Sequence, residues 1–186
     1  MNIKETVNKV ESRLLEGANR DDIFRELGGT DDVARVIAST PDFQLRQKYA
    51  KLNWVLVSII TYFALFKLID SISVFLDNKL PLYFFPMLLF VPGVAIYFAI
   101  QIKIFRGGFY LIAGLLLIAV TINSGKTFDS MMINARSVGL WIAFYSPLVA
   151  GCIIAFFLKR KLCPHLGYMG AKTDSSGNYK FINNNG

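Results

Sequence analysis

Long apolar runs constrain this chain more than any other feature of its sequence. A membrane's hydrocarbon core, about 30 Å thick, is crossed by a helix of about 20 apolar residues. The apolar runs begin only after position 50 and predict four transmembrane helices, at about 53–75, 80–102, 108–122 and 139–158. We therefore predict an all-α integral membrane protein, because a bilayer tolerates few other structures that satisfy their own backbone.

The composition agrees with this fold class. Hydrophobic residues make up 54% of the 186 residues and charged residues 18%, whereas soluble domains have about 45–50% and about 25%. These values exclude a wholly soluble protein and a disordered one. The chain then divides into a small helical head (residues 1–52), a transmembrane domain (residues 53–158) and a short tail (residues 159–186).

The net charge of +7 belongs to the apolar region and the tail. Residues 1–51 hold nine basic and nine acidic residues, so the head is neutral. A nucleic-acid-binding protein concentrates basic residues on the domain that contacts phosphates. The sequence therefore predicts no nucleic-acid partner, and places the excess charge at the membrane flanks.

Lysine and arginine in the short flanks predict the orientation of the spans, because such residues stay on the cytosolic side. One side of the predicted membrane has three of them: Lys79, Lys126 and Arg136. The opposite side has eight: Arg46, Lys48, Lys51, Lys103, Arg106, Lys159, Arg160 and Lys161. We therefore expect the head and the tail in the cytosol.

No Asn-x-Ser/Thr sequon occurs, which is consistent with a bacterial chain. The layout of head, four spans and polar tail resembles that of small bacterial membrane proteins, a resemblance of architecture that carries no site residues. We expect the bacterial inner (plasma) membrane as the location and the lipid bilayer as a partner. A homo-oligomer and a cytosolic or membrane protein partner are further options.

The head has the pattern of a small helical bundle. Apolar residues recur at helical spacing from Ile3, and Asn19 and Thr30 are suited to capping two further helices that each begin with two aspartates. About 50 residues is near the lower limit for independent folding, so we expect the head to be stabilised by packing against the membrane region or against another subunit. A DNA-binding helix-turn-helix is the functional alternative to a packing module.

Lys67 and Asp70 are the charged residues inside the first predicted span, and they share one helix face. One interpretation is a polar seam that faces a water-filled path, because an intramembrane charge suggests function. The other is that Lys67 extends outward to the headgroups with Asp70 as its partner.

Prolines and small residues mark the later spans. Helix kinks are predicted at Pro86, Pro92 and Pro147, since each proline removes a backbone donor. Small residues four apart let helix backbones approach closely. This spacing predicts a helix-packing seam, within one subunit or between subunits, at Ser146, Ala150, Gly151 and Ala155.

The tail begins with a basic collar, Lys159, Arg160 and Lys161, which is expected to meet lipid headgroups. Cys163 and His165 invite a metal hypothesis, but a structural zinc site needs four ligands, so no metal is predicted. Turn-forming residues at 174–178 favour a small β-hairpin, with 166–171 and 179–181 as its arms.

The sequence offers little chemistry for catalysis. It has one histidine, no complete phosphate-binding loop and no metalloprotease or serine-hydrolase motif. We predict no enzyme, no catalytic residue and no cofactor. The first functional hypothesis is a non-enzymatic membrane protein that acts through its head and tail as an adaptor, regulator or immunity-type factor. The alternative is a homo-oligomeric channel or membrane-perturbing effector.

Overall fold

The computed structural model describes residues 3–77, 81–128, 135–167, 170–173, 178, 179 and 181. Within these ranges some side chains lie outside the description, among them that of Asp70 and those of residues 123–128 and 135–138. The described chain is mostly helical and has no β-strand. The all-α prediction is therefore confirmed for this part of the protein.

Three short helices form the head: α1 (Ile3–Leu15), α2 (Arg20–Glu26) and α3 (Asp31–Ser39). The predicted caps are present, because the Asn19 side chain accepts from the backbone N–H of Asp21 and that of Thr30 from Val33. Gly28, with φ of 91°, and the glycine after it end α2 in a backbone conformation that other residues rarely adopt.

Four longer helices form a bundle. They are α4 (Phe43–Asp77), α5 (Phe85–Lys103), α6 (Gly107–Phe128) and α7 (Ala135–Leu162), with a 3₁₀ turn at Leu82–Phe84 before α5. α4 runs unbroken from the head into the apolar region. It packs against α5 and α7, and α6 packs against the same two helices. The four helices thus form a closed ring in cross-section.

Two of these helices, α4 and α5, are long and apolar enough to cross a membrane. Only 29% and 28% of their most apolar stretches are buried within the protein. The described apolar part of α6, Gly107–Ile122, is shorter than the length required. The structure thus supports a helical protein with two candidate membrane spans, and the other two spans stay a prediction.

Helix boundaries depart from the sequence prediction in two places. Residues 123–128, which lie beyond the predicted third span at 108–122, continue α6 instead. Pro86 lies in the first turn of α5, where the backbone N–H has no intrahelical partner to lose. The reason for a kink at Pro86 is therefore absent, whereas Pro92 and Pro147 lie inside their helices.

The backbone pairing observed in the tail differs from that of the predicted hairpin. Among the described tail residues, two isolated antiparallel bridges join Leu166 to Ala171 and Thr173 to Tyr179. The 166–171 segment closes on itself because the N–H of Gly167 donates to the carbonyl of Gly170 at 2.7 Å. It is therefore not free to pair with 179–181, so the first predicted arm is wrong. Tyr179 of the second arm pairs instead with Thr173.

Candidate functional site

The tail completes the hydrophobic core of the head. Phe181 is only 8% exposed and packs in one cluster with Val10, Ile23 and Ile37, which come from the three head helices. The ring of Phe24 lies 5.7 Å from that of Phe181 and 5.5 Å from that of Tyr179, between centroids. The head and the end of the tail are therefore one packed unit, which we call the head–tail module.

A polar contact reinforces this packing at the surface. The Tyr179 hydroxyl donates a hydrogen bond of 2.5 Å to Oδ1 of Asp31, in the first turn of α3. The bond raises the pKa of the Tyr179 phenol, because ionisation would remove the donor and place two anions together.

Arg20 fixes the corner between the head and the bundle. Its guanidinium is buried and donates to the carbonyls of Ile37 and Thr40 and, at 2.6 Å, to Oδ1 of Asp42. The cation thereby satisfies carbonyls at the C-terminal end of α3, where the helix dipole favours positive charge. The direction in which α4 leaves the head is thus set by a buried charge.

The head meets the bundle where Ser39, Gly107 and Cys163 come together, a contact that we call the junction. The Cys163 thiol lies 3.5 Å from the carbonyl oxygen of Ser39. A Cβ atom on Gly107 would lie 2.5 Å from that oxygen and would overlap the sulfur. Burial raises the pKa of Cys163 to about 12. The junction thus has no room for a larger residue at 107.

A buried polar link lies close to the junction, between helices of the bundle. The Asn53 side chain donates to the carbonyl of Ile102 at 3.0 Å and accepts from the Tyr110 hydroxyl at 2.6 Å. It joins α4 to the end of α5 and the start of α6. Since buried polar groups are costly when unpaired, this link fixes the register of three helices at the end that carries the head.

The predicted intramembrane pair is described only in part. Lys67 is half-buried on α4. The side chain of Asp70 lies outside the described residues, so the pairing of Lys67 with Asp70 stays a prediction.

The predicted packing seam divides into two faces of α7. Ala155 is fully buried, and a Cβ atom on Gly151 would lie 3.0 Å from side-chain atoms of Ile59 and Leu117. These two small residues therefore pack within the chain, against α4 and α6. Ser146 and Ala150 are exposed instead, so any packing at their face would involve another chain.

The basic collar forms the last turn of α7. Lys159 is half-buried, and Arg160 and Lys161 are exposed. Positive charge is favourable there because the carbonyl end of the helix dipole is negative.

No metal cluster accompanies these contacts in the described ranges. No group of three or more His, Cys, Asp or Glu side chains lies close enough there to hold a metal ion. A groove of about 50 Å³ separates α1 from the start of α4, far below the roughly 300 Å³ of small-molecule sites. Its lining is Glu11, Leu14, Leu15, Pro41, Phe43 and Arg46.

Comparison with protein-family models, with curated proteins and with solved structures gives no match to this chain. The function is therefore inferred from the residues of this chain alone. Sequence reasoning missed Tyr179 and Phe181 as parts of the head–tail module, and Gly107 as part of the junction. The available signal was the alternation of two aromatic residues with Lys180 directly after the turn-forming residues 174–178.

Proposed function

We propose that this chain is a non-enzymatic membrane protein of four transmembrane helices, with its head and tail on the cytosolic side of a bacterial inner membrane. In this proposal the head–tail module is the working surface, and the protein acts as an adaptor, regulator or immunity-type factor for a protein partner. The four helices hold that surface at the membrane.

Helix lengths and exposed apolar side chains support four spans. At 1.5 Å per residue, the 28 residues of α7 extend about 42 Å, enough for a hydrocarbon core of about 30 Å. The 22 residues of α6 extend about 33 Å, of which the apolar part, Gly107–Ile122, covers about 24 Å. Large exposed apolar side chains occur on every helix of the bundle, including Phe66, Phe90, Leu115 and Ile153. A soluble monomer rarely exposes so much apolar surface.

The single observation that carries the functional part is the packing of Phe181 into the head core. A tail needed only to anchor the last span would not require an aromatic residue buried among three head helices. The module is also joined to the bundle at Arg20 and at the junction. It therefore presents a fixed shape, with charged residues such as Asp22 and Arg35 exposed to the solvent.

In-cell photo-crosslinking tests this proposal. A photoreactive amino acid is placed at position 22 or 35 of the head, and, as a matched control, at the exposed positions 118 and 153 of the bundle. We expect discrete protein adducts from the head positions, unchanged by Lys67→Leu and lost when Phe181→Ala loosens the module. Head positions that give no adduct at normal abundance would contradict the adaptor hypothesis.

A homo-oligomeric channel or membrane-perturbing effector is the second candidate. The exposed face of Ser146 and Ala150 favours it, because small residues on a lipid-facing surface allow a second helix to approach. Purified protein in liposomes would then conduct ions, and Lys67→Leu would change the conductance. Conductance together with an absence of head adducts would replace the first proposal by this one.

A further inference from the structure

The end of α7 and the chain that follows it concentrate positive charge. Residues 157–173 contain four basic side chains and no aspartate or glutamate: Lys159, Arg160, Lys161 and Lys172. Arg160, Lys161 and Lys172 are exposed, and Lys159 is half-buried. Because the head is neutral, these residues supply a large part of the net positive charge of the chain.

The backbone brings the fourth of these residues back toward the first. The N–H of Cys163 donates to the carbonyl of Lys159 at 3.1 Å, and the N–H of Lys172 donates to the carbonyl of His165 at 2.8 Å. The antiparallel bridge between Leu166 and Ala171 turns the chain back on itself between Lys159 and Lys172. Burial and the nearby ammonium of Lys172 lower the pKa of Lys159. Two like charges thus share one neighbourhood, an arrangement that a bound anion stabilises.

The turn between α5 and α6 adds a cation to the same end of the bundle. Gly107 packs against Cys163 at the junction, and the preceding residue, Arg106, is exposed. The ammonium of Lys103 lies 5.3 Å from the centroid of the Trp54 ring. Tryptophan and lysine together are typical of the boundary between lipid tails and headgroups. The basic residues therefore lie where the apolar surface of the bundle ends.

We propose that this end of α7 binds the phosphate of an anionic phospholipid, with Lys159 and Lys172 on the phosphate and Arg160, Lys161 and Arg106 along the adjoining bilayer surface. A lipid fits better than free phosphate because exposed apolar side chains lie one and two turns before Lys161 on the same face of α7. Ile153 and Phe157 are 66% and 41% exposed on the same helix, and acyl chains would cover them. The inference depends on the part of the proposed function that puts α7 in the membrane.

Native mass spectrometry of the full-length protein in mild detergent tests the site. Phosphatidylglycerol and phosphatidylcholine with identical acyl chains are titrated separately, and bound lipids are counted. We expect the protein to bind phosphatidylglycerol at least about ten-fold more tightly, a difference of about 1.4 kcal/mol. The double variant Lys159→Gln/Lys172→Gln should bind the two lipids alike, and Lys159→Arg/Lys172→Arg should keep the preference.

The control removes two cations from exposed head positions, as Lys9→Gln/Arg25→Gln, and should leave the preference intact. Equal affinity of the unmodified protein for both lipids would overturn the proposal, as would a preference that survives Lys159→Gln/Lys172→Gln. Displacement of the lipid by millimolar inorganic phosphate would assign the site to a free anion instead. Carbonate extraction of membranes is measured alongside, so that a failure of membrane insertion is recognised separately from a failure of lipid selection.

Discussion

The hydroxyl of Tyr179 donates a 2.5 Å hydrogen bond to Oδ1 of Asp31, a residue 148 positions earlier in the chain. The bond links the tail to the first turn of α3 in the head. With Phe181 two residues further on and buried in the head core, it makes the head and the tail a single unit.

Removing the buried aromatic ring should loosen that unit. Phe181→Ala leaves a cavity in a core made of three short helices, and such a change in a protein core costs roughly 3–5 kcal/mol. We expect faster hydrogen exchange in α2 and α3, measured by mass spectrometry, with little change in α5. Exchange in the head that is unaffected by Phe181→Ala would show that the tail contributes nothing to its stability.

The contact between Tyr179 and Asp31 should depend on pH. Since the folded-state pKa of Tyr179 lies above its ordinary value near 10, the bond contributes stability below that ordinary value. This stability is lost as the pH rises through the raised value. Tyrosine-selective ¹³C NMR should show the Tyr179 phenol ionising above its usual range, and Asp31→Asn should bring its pKa down. An unshifted phenol in the unmodified protein would contradict the contact.

Gly107 and Gly108 make a matched pair at the junction. Gly107→Ala forces a methyl group onto Cys163 and the Ser39 carbonyl, whereas a Cβ atom on Gly108 meets nothing within 4 Å. Overpacking of this kind costs about 1–3 kcal/mol. We expect Gly107→Ala to lower the melting temperature and to raise proteolysis between α3 and α4, and Gly108→Ala to do neither. Equal effects of the two substitutions on melting temperature and on proteolysis would mean that the junction is not tightly packed.

Cys163 reports on the same contact through its reactivity. The thiolate is the reactive form, and burial raises the pKa of this thiol to about 12. In a Cys152→Ala background, alkylation at neutral pH should therefore be much slower than in the denatured protein. Gly107→Ala should accelerate it as the head separates from the bundle. Rapid labelling of the folded protein would show that the head does not cover Cys163.

The neighbours Ala150 and Gly151 separate packing within the chain from packing between chains. Gly151→Leu should destabilise the protein, because even a Cβ atom there lies 3.0 Å from Ile59 and Leu117. Ala150→Leu should leave a monomer stable, since Ala150 is exposed. Light scattering in detergent measures the oligomeric state. A change of oligomeric state that is caused by Ala150→Leu and not by Gly151→Leu would place an intermolecular contact at this face.

Local signals predicted much of the fold. The caps at Asn19 and Thr30 and the glycines after α2 depend on a few adjacent residues, so the head helices could be placed from sequence. The apolar runs likewise predicted the positions of α4 and α5. The end of α6 was missed because its last residues, such as Asn123 and Lys126, are polar, and polarity alone does not end a helix.

Long-range contacts were the part that the sequence did not predict. Phe181 packs against residues more than 140 positions away, and no periodic pattern connects the tail to the head. The limited size of the head led us to expect support from the membrane region or from another subunit, and the packing of the tail into the head core was not predicted. Gly107 gave no signal, because its role depends on the close approach of Ser39 and Cys163.

The number of transmembrane helices is the most direct test of the proposed membrane arrangement. In a variant without native cysteines, a cysteine at position 130 is treated with a membrane-impermeant maleimide in intact spheroplasts, with position 106 as the control. The four-span account predicts that position 130 is labelled from outside and that position 106 reacts only after the membrane is permeabilised. If only α4 and α5 cross, both positions lie on the cytosolic side, and protection of position 130 until permeabilisation would contradict the account.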